Sequence, residues 1–460
     1  MLTCLSVPAC GLAMLACLRV MRLTWPAAIG ISLIVLPFAP APAAGFAIAG
    51  IWSSRTRRVE ATGLVIGHDR SRRPVPIPLG GSSGSHVLVV GATGSGKTVT
   101  ETQIVAGAVA RGLGAVIVDP KGDALLRDRA AEAARSAGRE FIEWTPGGPS
   151  SYNPYAHGSP GEVADKALAG ERYSEPHYLR QAQRYLAHAV RALGACGETA
   201  TPSRLLELMD PRRLEVLART IPDEQHALGI FGYLDSLDAR QRAGLAGTRD
   251  RLAILAESEL GPWLQPRPEA PSIDLLAAVR SRAVTYFCLE ADRLPLLARM
   301  LAAAVVSDLL TVAAVCQADP VPTIVAIDEF SAIAADGVAR LFGRARAAGF
   351  SLLLATQEVA DLRSAAPELA DQVLGNVETV IAHRQSVPDS AELIARIAGT
   401  RGSWDRTEQV SHGIPNGRAT RSRSREFSIH PDSIRTLERG CAAVCVGSER
   451  RCALVRIHHP

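Results

Sequence analysis

At 460 residues and 47% hydrophobic content, the chain has enough apolar material for about two or three domains, which excludes an intrinsically disordered protein. Its formal charge of +4 excludes a global field that draws in nucleic acid, so any such contact has to come from local clusters. Nine cysteines, odd in number and scattered from Cys4 to Cys452, suggest no disulfide framework, and Cys441, Cys445 and Cys452 lack the four-ligand pairing of a structural metal site.

Residues 1–54 carry Arg19 and Arg22 and no acidic residue. Two apolar segments flank Arg19-Val-Met-Arg22. The second, from Trp25 to Ile51, covers ~40 Å as a helix at ~1.5 Å per residue, enough to cross a bilayer, with Trp25 and Trp52 where interfacial aromatics belong. Arg55, Arg57, Arg58, Arg70, Arg72 and Arg73 follow and place the remainder on the cytoplasmic side. The first segment, Leu2 to Leu18, is short for a span of its own, so the anchor is expected to have one or two transmembrane helices, with a two-helix hairpin preferred. A cleaved signal peptide competes with it but sets the nucleotide motif downstream in the wrong compartment.

After a short β entry over residues 61–80, the apolar run His86 to Val90 leads into Gly91-Ala92-Thr93-Gly94-Ser95-Gly96-Lys97-Thr98 and a helical stretch to Arg111. This is GxxxxGK[ST] in strand, loop and helix order, a phosphate-binding loop. The glycines let successive N–H groups face a polyphosphate, which the positive end of the following helix also attracts. Lys97 is expected on the β- and γ-phosphates and Thr98 on Mg²⁺. Ala115 to Asp119 and Glu140 to Trp144 read as further strands of a parallel sheet with helices on its faces. Residues 151–271 then change to helical spacing, as in Tyr178, Leu179, Ala182, Tyr185, Leu186 and Val190, which points to an inserted all-α domain.

The α/β alternation resumes over 272–460, giving, with 55–150, an α/β nucleotide-binding domain. A strand over Ala283 to Leu289 and a long apolar helix from Leu294 to Ala314 precede Pro322 to Phe330, an apolar strand ending in two carboxylates. Asp328 is expected to hold Mg²⁺ through water, and Glu329 to orient the attacking water and take its proton. Gln357 closes the next strand, where a polar group senses the γ-phosphate. Arg346, at a helix end, is either a finger onto a neighbouring subunit's ATP or a solvated surface charge. Residues 401–426 read as a polar loop with Arg401, Arg406, Arg418, Arg421, Arg423 and Arg425, open to phosphate contact or to solvation alone. The apolar runs Ala442 to Val446 and Ala453 to Ile457 are expected to complete the sheet edge.

Taken together, GATGSGKT at 91–98, DPKGD at 119–123, YNP at 152–154, IDEF at 327–330, GRARAAG at 343–349 and LLATQE at 353–358 behind an apolar N-terminus resemble the type IV secretion coupling proteins. These are the TraG/TraD-like branch of the FtsK/HerA group of ring ATPases. The resemblance covers nearly the whole chain. It implies N-terminal transmembrane helices, a RecA-like P-loop ATPase core and an inserted all-α domain. It further implies a homo-hexamer at the bacterial inner membrane that uses ATP and Mg²⁺ to deliver DNA, usually with a relaxase, to a secretion channel. It places Lys97 and Thr98 on the nucleotide and Mg²⁺, Asp328 and Glu329 at the hydrolytic step, Gln357 in the sensing position and Arg346 at the finger position, and it assigns no individual roles within Asp119 to Asp123.

Two departures stand out: no acidic tail follows the last strand, and no periplasmic domain fits between the two apolar segments. A protein-recruiting adaptor gated by ATP is the competing function. A chromosome-partitioning pump is disfavoured by the lack of a winged-helix-like segment after the core.

Overall fold

The computed structural model describes residues 63–80, 85–170, 175–333, 335–411, 414–449 and 451–459, so the expected anchor over 1–54 lies outside the described residues. The chain from Leu64 onward is built on strands with few polar side chains. β1 (Leu64–Asp69) and β2 (Pro74–Ile77) come first, followed by β3 (Val87–Val90), β4 (Gly114–Asp119) and β5 (Phe141–Trp144). The two-residue strands β6 (Ser151–Tyr152) and β7 (Ser272–Ile273) pair in parallel on either side of a long helical excursion. β8 (Val284–Cys288), β9 (Thr323–Ile327), β10 (Phe350–Thr356) and β11 (Thr379–Ala382) follow. A separate hairpin, β12 (Thr400–Ser411) and β13 (Ile414–Phe427), precedes β14 (Cys441–Val446) and β15 (Arg451–Ile457).

Eleven strands form one sheet in the order β2-β1-β15-β14-β11-β3-β10-β9-β4-β8-β5. From β11 to β5 neighbouring strands run parallel, while β14, β15, β1 and β2 join antiparallel. The central strands are buried along their whole length because helices cover both faces. Alternate residues feed two cores. Leu88, Val90, Val116, Val118, Val325 and Ile327 face one, and Val87, Val89, Ala115, Ile117, Ile324 and Ala326 face the other.

The helix Pro295–Cys316 packs in the first core. Among the described residues it is the one helix long and apolar enough to cross a membrane, and 83% of its most apolar window is buried in the protein. Its apolar character all round therefore reflects a helix with neighbours on every side.

The described residues between 160 and 256 form a series of helices that gather around their own core, which includes Tyr185, Leu186, Leu205, Leu214, Ile230 and Leu252. Side-chain caps start most of these helices: Ser159 with Glu162 in a capping box, then Thr201, Asp210, Asp223 and Asp238. One buried polar network ties this layer to the sheet. Lys166 Nζ donates to Asp308 Oδ1 at 2.6 Å and to the His157 carbonyl, and Tyr152 OH donates to Asp308 Oδ2 at 2.8 Å. The Lys166 and Asp308 side chains are only 1% and 2% exposed. Burial raises the Asp308 pKa, and Lys166 and Tyr152 oppose that rise.

Three expectations need correction. The arginine-bearing stretch 401–426 is not a loop: Thr400–Ser411 and Ile414–Phe427 pair antiparallel, and the strand pattern is hidden because arginine and serine occupy the positions where apolar residues normally mark a face. β14 and β15 do not form the sheet edge, since β15 pairs β1 and the edge strand on that side is β2. Cys445 and Cys452 form a disulfide across the β14–β15 ladder, where the register sets them opposite each other with Cα atoms 4.2 Å apart. Counting cysteines tests for a framework and is blind to a single cross-strand pair.

The Lys166–Asp308 pair yields a stability prediction. Asp308→Ala leaves a buried ammonium without its counter-ion and should cost about 3–5 kcal/mol, while the double replacement Lys166→Met, Asp308→Leu should cost much less. Urea unfolding of the three proteins checks this, and equal losses in both variants would show that the pair is not the connection described.

Candidate nucleotide site

Four strand ends converge on one point. β3 runs into Gly91, β4 ends at Asp119, β9 runs into Asp328 and Glu329, and β10 into Gln357, all at the carboxyl edge of the parallel sheet. Open α/β sheets place their ligand crevices at this edge.

The loop Gly91 to Thr98 is held from both sides. Gly91 N–H donates to the Thr356 carbonyl at 3.2 Å, Ala92 N–H to the Arg384 carbonyl at 3.0 Å, and the Ser95 carbonyl accepts from Gly440 N–H at 2.9 Å. Gly94 and Gly96 have φ of +76° and +114°, in the left-handed region where other residues are strained. At Gly91 the constraint is space, for a Cβ there lies 2.8 Å from the Cβ of His383. The helix Lys97–Ala110 starts directly at the motif lysine, so its first-turn N–H groups, which have no intrahelical acceptor, open toward the loop.

His383 sits fully buried under this loop. Its Nε2 meets Thr100 Oγ1 at 2.8 Å and its Nδ1 meets the Cys441 carbonyl at 3.0 Å. Burial, with the Lys97 charge adding to it, pushes the His383 pKa down to about 4. The neutral ring therefore donates from Nδ1 to the carbonyl and accepts the Thr100 hydroxyl at Nε2.

Lys97 pairs with Asp328 Oδ1, and its Nζ lies 3.2 Å from Glu329 Oε1 and 3.7 Å from Glu101 Oε1. Burial works against the Lys97 charge, but Glu101, Asp328 and Glu329 outweigh it and raise the pKa above the ordinary lysine value. The carboxylates divide in the opposite direction. Burial raises the pKa of Glu101 and Asp328; the Asp328 charge adds to the rise at Glu101, and the Glu329 and Asp119 charges add to the rise at Asp328. Glu329 is lowered despite its burial, because Lys97, Lys121 and Gln357 all surround it. Lys121 Nζ and Gln357 Nε2 reach the same Oε1 at 3.2 and 3.1 Å. Glu329 also has φ of +46°, a left-handed conformation that costs a non-glycine residue about 1–3 kcal/mol and clusters at functional sites.

The stretch Asp119 to Asp123 acquires roles. Buried Asp119 accepts from the N–H groups of Lys121, Gly122 and Asp123 and from Tyr286 OH at 2.6–2.9 Å, which folds the turn that carries Lys121 to Glu329. Asp123 caps the helix Ala124–Ser136 through the N–H groups of Leu125 and Leu126. Lys121, Glu101 and His383 were not singled out from the sequence. Lys121 lay within a quoted motif and Glu101 one helical turn beyond Lys97, whereas nothing local marks His383.

The structure thus brings together Lys97, Asp328, Glu329 and Gln357 beside the loop, but not Arg346. Arg346 lies just before β10, at the amino end of a seven-residue strand whose other end carries Gln357, roughly 20 Å away. It is exposed and donates to the Asn376 carbonyl at 3.1 Å. Any role at a nucleotide therefore concerns another copy of the chain.

A family model described as the central domain of the helicase HerA matches residues 63–125, and one described as the TraM recognition site of TraD and TraG matches residues 322–439. Among curated proteins none matches the sequence. Solved structures share the fold. The bacterial conjugative coupling protein TrwBΔN70, unbound, aligns with a TM-score of 0.64 at 17% identity, over 88% of this chain and 90% of its own. The plasmid coupling protein TrwB in complex with ADP and Mg²⁺ gives 0.64 at 18% identity, over 89% and 92%. VirB4 of Thermoanaerobacter pseudethanolicus gives 0.55 at 16% identity, over 87% and 98%. Fold, loop and carboxylates together support an α/β P-loop ATPase with a HerA-like segment. Residues 322–439 carry the segment matched to TraD and TraG, and the fold is shared with TrwB and VirB4.

The buried, neutral His383 makes the site acid-sensitive. Its folded pKa of about 4 lies below the ordinary 6.5, so the unfolded state binds the proton first. The contribution to stability is complete above pH 6.5 and is lost as pH falls from 6.5 toward 4, with a slope of up to about 1.4 kcal/mol per pH unit. Thermal unfolding of wild type and His383→Gln across this range should show a shallower dependence in the variant. Parallel curves would remove His383 as the cause.

Proposed function

We propose that this chain is a membrane-anchored, ATP-driven DNA translocase. It acts as a homo-hexamer at the bacterial inner membrane and couples DNA, or a relaxase with its DNA, to a type IV secretion channel. The observation that carries the hydrolytic part is Glu329, an ionised carboxylate on a strained backbone, with Lys97, Lys121 and Gln357 converging on one of its oxygens. The coupling part rests on the likeness to TrwB and VirB4 and on the segment shared with TraD and TraG.

The residues fit ATP and Mg²⁺. The loop is a cradle that a side chain at Gly91 fills, and a hydroxyl with a carboxylate is a hard donor set suited to Mg²⁺. The backbone from Gly91 to Thr98 would surround the phosphates, and Thr98 with Asp328, the latter through water, would hold the metal. Bound there, Mg²⁺ neutralises charge on the phosphate oxygens. Lys97 exchanges its carboxylate partners for the β- and γ-phosphates, which removes one cation from Glu329 and frees it to orient water and accept its proton. Gln357 reports the γ-phosphate to Glu329, and Arg346 reaches the site of the next subunit. The segments 55–150 with 272–460 serve as the motor domain and 151–271 as a helical domain.

A protein-recruiting adaptor gated by ATP is the second reading. It is favoured by exposed apolar side chains on the helical layer, Val216 at 64% and Leu228 at 58%. ATP turnover by the full-length protein with and without single- and double-stranded DNA separates the two, since a rate indifferent to DNA supports the adaptor.

Lys97→Ala should abolish turnover, and Glu329→Gln should retain ATP binding while losing about 10²–10⁴-fold in rate. Steady-state hydrolysis and nucleotide-binding titrations check both, and normal turnover in either overturns the site assignment. Arg346→Ala should lose about 10³–10⁵-fold, and mixing it with Lys97→Ala protein should restore some activity, since each supplies what the other lacks. Mixed rings that stay inactive argue against a finger between subunits.

A further inference from the structure

The β12–β13 ribbon has two unlike faces. Residues opposite each other in an antiparallel pair share a face, and residues two apart along a strand do so as well. The register Gly402↔Arg425 and Trp404↔Arg423, with Arg421 two residues further along β13, therefore puts Arg421, Arg423, Arg425 and Trp404 on one side. The three arginines are exposed and Trp404 is 67% exposed. Among the described residues no carboxylate pairs with any of the three arginines, and the Arg423 guanidinium leans across the bare backbone of Gly402. The other side sets Arg401 against Glu426 and Ser403 against Ser424, a mixed and nearly neutral face.

We infer that the face of Arg421, Arg423, Arg425 and Trp404 grips single-stranded nucleic acid, a substrate class that rests on the DNA-translocase reading above. The arginines repeat every two strand residues, about 7 Å, which matches two stacked nucleotides at roughly 3.4 Å each. A row of cations at that pitch tracks one phosphate backbone and reads no bases. Trp404 lies beside the row with its ring in solvent. A base can stack on it only when its own face is clear of the neighbouring base pairs of a duplex, so the strand it fits is single. An anionic membrane also attracts arginine and tryptophan, but an interfacial anchor needs several apolar side chains, and this face offers one aromatic among cations and glycine.

The ribbon is anchored to the motor. The Arg384 carbonyl accepts from Ala92 N–H, His383 Nδ1 bonds the Cys441 carbonyl, and Gly440 N–H donates to the Ser95 carbonyl. Both ends of the segment that carries the hairpin are thus bonded directly to the phosphate loop.

The test uses full-length protein in detergent micelles with a fluorescent thirty-nucleotide oligothymidylate, a duplex of equal length and phosphatidylserine vesicles. The triple replacement Arg421→Ser, Arg423→Ser, Arg425→Ser should weaken oligothymidylate binding at least tenfold and lower its log–log salt slope by about 2, at roughly 0.7 per phosphate contact. Trp404→Ala should weaken it about 5- to 150-fold with the slope unchanged, and Trp404→Phe should recover most of the loss. ATP turnover without DNA should stay at the wild-type rate in all three, which also shows that they fold. If wild type binds oligothymidylate and the variants bind it equally well, the ribbon assignment is overturned while the translocase reading stands. If wild type binds neither nucleic acid, both are overturned. Loss of vesicle binding alone in the variants overturns the assignment in favour of a lipid surface.

Discussion

The charge cluster around Lys97 is the constraint on which the site depends. One buried ammonium faces Glu101, Asp328 and Glu329, with Lys121 adding a second cation from the neighbouring turn. Three carboxylates this close cannot all ionise cheaply in a dry crevice, so their pKa values separate, Glu101 and Asp328 upward and Glu329 downward. That separation follows from position. Gln357 and both lysines reach one oxygen of Glu329, whereas Glu101 is enclosed by the helix and sheet with only Lys97 at a distance. Lys97 is the cation that all three carboxylates share, so the balance of the cluster rests on where that ammonium sits.

The parallel sheet makes this cluster possible because it delivers side chains from four strands to one edge. This much was legible in the sequence. Runs such as Val87 to Val90 and Ile324 to Ile327 are apolar at every position, as a strand covered on both faces requires, and each ends where the polar residues of the motif begin. The loop, the paired carboxylates and Gln357 could be placed from spacing alone for the same reason. Partners joined through space rather than along the chain were not legible. His383 is 283 residues from Thr100, and Lys121 is 208 from Glu329. The hairpin over 400–427 escaped because arginine, serine and glycine stand where apolar residues would mark a face, so no apolar period marks its strands. Arg346 could be placed at a helix end but not on the opposite edge of the sheet, because strand direction is set by the crossover and not by the residues near the arginine.

The helical layer depends on the same central elements. Its two chain crossings, at β6 and β7, are two residues long each, too short to fix an orientation by backbone pairing alone. Lys166, Asp308 and Tyr152 supply the directional contact. Asp308 belongs to Pro295–Cys316, the helix whose apolar residues share a core with Val325 and Ile327 of β9. A motion of the carboxyl end of β9 is therefore felt by a helix that holds the layer through a buried ion pair, and such a pair has one good geometry. Packed apolar surfaces tolerate sliding, whereas a desolvated charge pair does not, so the layer is tied in register with the strand that carries Asp328 and Glu329.

The phosphate loop holds the other outward connection. Segment 383–441 leaves from beneath the loop at His383, runs through the helix Pro388–Ala398 and the ribbon, and returns at Gly440 beside Ser95. Its two ends are bonded to each other through His383 and Cys441 as well as to the loop, so a displacement of Ser95 or Ala92 moves the base of the ribbon at Thr400 and Phe427 as one body. The amides of Gly91, Ala92 and Ser95 are spent on the carbonyls of Thr356, Arg384 and Ala92, so the same bonds that shape the loop also fix it to the segment. The cationic face is therefore mounted on a segment that is fixed to the loop at both ends.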